Sequence, residues 1–252
     1  MRRTLRNFAP ALLILGVFVF WELVCIGFGI SDLILPRPTQ IVAALVKYGP
    51  AIWPHAWQTF YTTMVGFIAG VAIGLGLGVL IGSSRLAYQT AYPLLVGLSS
   101  IPKVAVVPIF VLWFGAGTVP AILTAMIICI FPIVVNVATG IATVEPELED
   151  VMRSLKATRM EILLNVGLPR SMPYFFASLK VAVTLSFVGS VIAETVASNK
   201  GVGNMMMIAA SMFNVPLVFA GLMVLAVMGT SLYAIFVVIE RRMAGWALRK
   251  DP

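Results

Sequence analysis

Lys103 and Glu194 are the two charges that this sequence holds deepest within apolar runs, and they are its first candidates for chemistry. An unpaired charge is costly in hydrocarbon, so such residues face a cavity or a partner. Pro102 and Pro108 flank Lys103, and the carbonyls they free are tolerated where protein or water lines the helix. Lys103 can therefore draw an anionic solute along a pathway that Glu194 also borders. A structural Lys–Glu pair, or a lysine snorkelling to the interface, is the competing reading. Glu22 and Lys180 are expected to pair or snorkel. His55 is the only histidine; with no second histidine and no cysteine pair nearby, it builds no metal site. It also lacks the nucleophile and acid that a membrane-embedded hydrolase requires. Cys25 and Cys129 both lie in apolar runs, so no disulfide framework is expected. No G-x-x-x-x-G-K-[ST] sequence occurs, so the chain does not cradle or hydrolyse ATP.

A second kind of chemistry is suggested by the polar island from Glu147 to Pro169. Pro146 suits a first helical position, and Glu147, Glu149 and Asp150 place negative charge on the positive helix end. Leu148, Val151, Met152 and Leu155 recur at helical spacing and make one apolar stripe. Thr158-Arg-Met-Glu161 has the form of a capping box. Two helix starts this close require a break at Lys156-Ala157. The island thus reads as a short helix, a tight turn and a second helix running toward Pro169 and Pro173. A short amphipathic helix of this kind is a natural peg for a groove in a soluble partner.

The elements that must position these residues are membrane spans. The chain is 60% hydrophobic and 11% charged, against about 45–50% and 25% in soluble domains. Several runs approach the ~20 apolar residues that cross a bilayer, and they are continuous rather than alternating, which favours helices over a barrel. The expectation is an all-α polytopic bundle of about six spans forming a single domain over residues 1–252. The spans fall near Pro10–Gly29, Thr59–Gly82, Ala91–Phe114, Val119–Ala138, Tyr174–Val196 and Pro216–Ile239, the first read as a retained helix. Twelve Lys and Arg residues, among them Arg85, Arg153, Lys156, Arg159 and Arg170, then fall on one side, and Arg37, Lys47 and Lys200 on the other. The positive-inside rule puts both termini and the island, about residues 140–172, in the cytoplasm. The net charge of +7 is read as this topology signal, and no soluble basic surface for nucleic acid is visible.

Three further features complete the reading. Ile41, Leu45 and Val46 suggest a short amphipathic helix at the outer membrane face. Gly66, Gly70, Gly74, Gly78 and Gly82 lay a groove along the second span for close helix packing. Its partner could be a moving helix, a second copy of the chain or simply a neighbour in the monomer. The methionines from Met205 to Met212 suggest a short helix at the outer mouth, with lipid or core packing as its main role.

Taken together, these residues resemble the permease subunits of ABC importers. Asp150-Val151-Met152 stands at the E-A-A position of the family's cytoplasmic loop, Lys156 at its glycine, and Val166-Gly167-Leu168-Pro169 at its I-x-L-P end. Leu35-Pro-Arg-Pro-Thr-Gln-Ile41, Ile101-Pro-Lys-Val-Ala105, Leu112-Trp-Phe-Gly-Ala-Gly117, Phe131-Pro132 and Ala193-Glu-Thr-Val-Ala-Ser-Asn-Lys-Gly-Val-Gly203 are similar to the nitrate/sulfonate/taurine group. The resemblance implies a type I importer permease of the bacterial inner membrane carrying a small anionic solute. It implies a second permease copy, an external substrate-binding protein and cytoplasmic ATPase subunits that hold ATP and Mg and grip the island, while this chain itself binds no cofactor. Glu147, Glu149, Asp150, Val151, Met152, Leu155, Lys156, Ala157 and Pro169 would form the coupling element, and the Glu194 segment would be structural or gating. Lys156 departs from the motif glycine, so a left-handed turn there would cost about 1 kcal/mol. The competing class is an ion-coupled secondary transporter, which typically shows internal repeats; no convincing repeat is present.

Overall fold

The computed structural model describes residues 2–243, and among them every regular element is helical. Helix α1 spans Arg2–Gly27, α2 Pro38–Gly82, α3 Arg85–Ser99, α4 Val107–Phe114 and α5 Thr118–Ala142. The island follows as α6, Pro146–Ser154, and α7, Arg159–Ile162; then come α8, Leu168–Ala197, α9, Val202–Ser211, and α10, Val215–Met243. Four helical segments are long and apolar enough to cross a membrane, and a bent pair supplies a fifth. The apolar part of α1, Leu12–Gly27, is shorter, so the expected six spans resolve into four, a broken one and a short one.

Two expectations fail for physical reasons. The outer amphipathic helix and the second span are one continuous α2 of 45 residues, about 68 Å long at 1.5 Å per residue, more than twice the hydrocarbon thickness of about 30 Å. Pro50 and Pro54 lie inside it without ending it. Its first part buries Ile41, Ala44 and Ile52 against Val202, Met205 and Ala220, and this packing holds the helix together through both prolines. The third span is broken instead. Pro102 has no N–H to donate and disfavours helix at Ile101, so α3 ends at Ser99 and the chain resumes as a 3₁₀ turn over Lys103–Val106 leading into α4. The two halves meet at 78°.

The core is built on α5. Phe67, Cys129, Ile133, Val137 and Ile141 pack with Phe176, Leu179, Val183 and Phe187 of α8. The glycine stripe of α2 lies against α5 in the same chain. Side chains built on Gly66, Gly70, Gly74, Gly78 and Gly82 would meet Ala125, Cys129, Ile133, Val137 and Ile141 respectively. Each glycine faces the residue 59 positions later (66 to 125, 82 to 141), so the two helices run parallel without slipping register. The groove is filled within the chain, and the readings that left it to a second copy or a mobile partner are set aside.

Candidate functional site

The island folds as a helix, a turn and a capped second helix. In α6, Leu148 and Met152 are half-buried while Val151 and Leu155 point outward, 57% and 74% exposed. Glu147 and Asp150 are exposed beside them; the side chain of Glu149 lies outside the described residues. The helix closes in a Schellman arrangement: Lys156 N–H donates to Arg153 O (2.9 Å) and Ala157 N–H to Met152 O (3.0 Å). That geometry requires a left-handed residue, and Lys156 takes it with φ +59°. Thr158 then caps α7, with Glu161 N–H donating to Thr158 Oγ1 (3.3 Å) and Thr158 N–H to Glu161 Oε2 (2.7 Å). A π-helical turn, Leu163–Gly167, joins this to α8, with Pro169 in its first turn.

The island is anchored at both ends in the core. Ile141 of α5 is buried there, and Leu163 and Leu168 pack against the same cluster. Arg170 also reaches back to Glu145 at 3.1 Å, although both side chains are about half exposed, so this pair contributes little. Val151 and Leu155 thus stand on a segment that α5 and α8 hold at both ends.

Those two helices also wall the cleft that contains Lys103. The 78° bend between α3 and α4 opens a space of about 480 Å³, bordered by Ile128, Phe131 and Asn136 of α5 and Leu185, Val188 and Ile192 of α8. Lys103 is the only charged side chain among the described residues that line it. Its ammonium donates to Ser99 O (2.8 Å) and stands 4.7 Å from the centre of the Phe131 ring. A backbone carbonyl and a ring face leave the positive charge unneutralised. From Ile141 to Phe131 is ten residues of α5, or about 15 Å.

Glu194 is elsewhere. It is fully buried and lines none of the described clefts. Thr59 Oγ1 and Thr62 Oγ1 of α2 donate to its carboxylate at 2.7 and 3.1 Å, and Gly203 N–H of α9 donates at 3.3 Å. Val202 N–H donates to Thr59 Oγ1 (2.9 Å), and Gly201 N–H to His55 Nδ1 (3.1 Å). Glu194 and His55 together clasp α2 to the start of α9. Lys180 pairs with Glu240 at 2.7 Å, and Glu22 accepts from Thr39 N–H (3.1 Å) and Oγ1 (2.8 Å) at the start of α2. Sequence reasoning missed the clasp hydroxyls, although Thr59, Thr62 and Thr63 share a helical face, as do Ser186 and Ser190.

Residues 70–245 match the family described as the binding-protein-dependent transport system inner membrane component. The chain belongs to this family. Among relatives, it is 28% identical to the formylaminopyrimidine transport permease protein ThiX of Halalkalibacterium halodurans, covering 98% of both chains. It is 31% identical to the aliphatic sulfonates transport permease protein SsuC of Bacillus subtilis, a putative assignment in that protein's own name, covering 91% of this chain and 84% of that one. In structure it is similar to a chain of the inward-facing MetNI methionine ABC transporter, with a TM-score of 0.66 at 21% identity over 77% of this chain and 97% of that one. The fold is that of a type I ABC importer permease. The protein is therefore a multi-pass inner-membrane permease subunit of an ABC importer, and ATP hydrolysis belongs to a separate subunit. Nothing in the fold or these relatives supports the ion-coupled alternative.

Proposed function

We propose that this permease carries a small anionic solute of the nitrate, sulfonate or taurine type past Lys103, driven by ATPase subunits that grip α6. The observation that carries the reading is the shared scaffold. The ends of α5 and α8 nearest the island hold it, and their middles wall a cleft whose one charge among the described residues is a lysine. A partner groove taking Val151 and Leu155, with Glu147 and Asp150 at its rim, would move both helices as rigid levers. Met152, Ala157 and Pro169 fix the stance of the peg, and Lys156 stands at its turn. Among relatives named for their solutes, those for sulfonates, nitrate and taurine carry solutes with an anionic group, which suits a lone ammonium in an otherwise apolar cleft.

In this reading two copies of the chain enclose the pathway, with both termini and the island, about residues 140–172, in the cytoplasm. The ATPase subunits bind ATP and Mg there, and an external binding protein delivers the solute near α9. Glu194 serves as the outer clasp. The test is uptake by liposomes holding the permease with its ATPase and binding protein. Lys103→Met should lower anion uptake at least tenfold while the ATPase still co-purifies in equal amount. Equal loss of uptake and assembly would make Lys103 structural and refute the pathway role.

A further inference from the structure

A second cleft, of about 340 Å³, opens where the island meets the membrane helices. One wall is the turn between α2 and α3, with Ser83, Ser84 and Arg85; the other carries Arg153 of α6 and Arg159 of α7. Three guanidinium groups from three separate elements thus border one space, and no carboxylate lines it among the described residues. Two acids on the island's frame are engaged elsewhere: Glu161 closes the capping box with Thr158, and Glu145 pairs with Arg170. Neither Arg85 nor Arg159 has an acidic partner among the described residues.

Arg85 and Arg159 are like charges bordering one space, and like charges repel unless an anion joins them. The planar guanidinium fork matches phosphate oxygens two at a time. The start of α3, a 15-residue helix capped by Ser84, adds first-turn N–H groups and the positive dipole end at the same wall. We propose that this cleft binds a phosphate group, which ties Arg85 on the membrane body to Arg159 on the island and so sets the stance of the coupling element. The phosphate has two possible sources. One is the headgroup of an anionic phospholipid, for which Leu86, 73% exposed beside Arg85, offers an apolar wall to the acyl chain. The other is a soluble phosphate species. The inference goes beyond the proposed transport function and does not depend on which solute is carried.

The test uses the full-length permease with its ATPase in nanodiscs, as wild type and as the Arg85→Gln/Arg159→Gln double variant. Both residues are exposed, so the variant should fold and retain the ATPase. One arm counts phosphatidylglycerol retained in native mass spectra from mixed phosphatidylcholine/phosphatidylglycerol discs. The other measures inorganic phosphate binding in pure phosphatidylcholine discs. Charge-assisted bonds of this kind predict binding at least about tenfold weaker in the variant. Retention of phosphatidylglycerol that the variant loses identifies the lipid source; phosphate binding that the variant loses identifies the soluble one. Binding of neither probe, or equal binding by wild type and variant, overturns the proposal. Loss of the ATPase from the variant without binding of either probe also overturns it, and gives the arginines to the protein interface.

Discussion

Replacing Gly70 with alanine tests the central packing argument. An added Cβ would overlap Cys129 Sγ and lie 2.9 Å from Met126 O, so α2 and α5 must part or the helix must shift. Overpacking of this kind costs about 1–3 kcal/mol, offset by up to about 1 kcal/mol because alanine favours helix over glycine. The expected net loss is about 0–2 kcal/mol. Gly76→Ala is the matched control, since nothing lies within 4 Å of its added Cβ and only the helix preference remains. The two variants should therefore differ by about 1–3 kcal/mol, and at about 2–4 °C per kcal/mol for a chain of this size that is a clear separation in thermal midpoint. The assay is the midpoint of the detergent-purified chain followed by size-exclusion fluorescence.

The same site offers a rescue. Cys129→Ala removes the sulfur that the methyl group of Gly70→Ala would strike, though Met126 O stays at 2.9 Å, so recovery should be partial. A double-mutant cycle should show a favourable coupling of about 1 kcal/mol, within the range for residues in contact. Additive losses, or a Gly76→Ala variant as unstable as Gly70→Ala, would refute the in-chain seam. The stripe would then belong to a partner.

Two other predictions follow from backbone and clasp. Lys156 holds φ +59°, so Lys156→Gly should raise the stability of the turn by about 1 kcal/mol while Lys156→Ala should not. If both variants nevertheless bind the ATPase less tightly, the side chain makes a contact glycine cannot; unchanged docking and transport in both would end that idea. Gly201 holds φ +118° with the Glu194 carboxylate where its Cβ would lie, so Gly201→Ala should lower the thermal midpoint. Glu194→Ala should do likewise by leaving Gly203 N–H without its acceptor, at about 1–3 kcal/mol for a buried group, while Thr59 and Thr62 keep the backbone acceptors His55 O, Gln58 O and Thr59 O. A midpoint unchanged in both variants would mean that the clasp holds nothing.

What is legible in the sequence follows from the range of the interactions. The island reads clearly because its signals are local: Pro146 starts α6, the Thr158–Glu161 box starts α7, and the residue between them must be left-handed, as Lys156 is. The bend at Pro102 and the passage of α2 through Pro50 and Pro54 do not, because a proline only removes a hydrogen bond. Whether the helix then breaks depends on packing, here Ile52 against distant Val202, Met205 and Ala220. The clasp is hidden for the same reason, since Thr59 and Glu194 are 135 positions apart. The glycine stripe is visible, but its partner is not, although Ala125, Cys129, Ile133, Val137 and Ile141 repeat with the same four-residue step. That matched step supports the proposed lever. A glycine seam with one constant register makes α2 and α5 a single rigid plate. In the proposed coupling, motion at the island would not be absorbed there and would appear where the packing is looser, at the bent α3–α4 segment that carries Lys103.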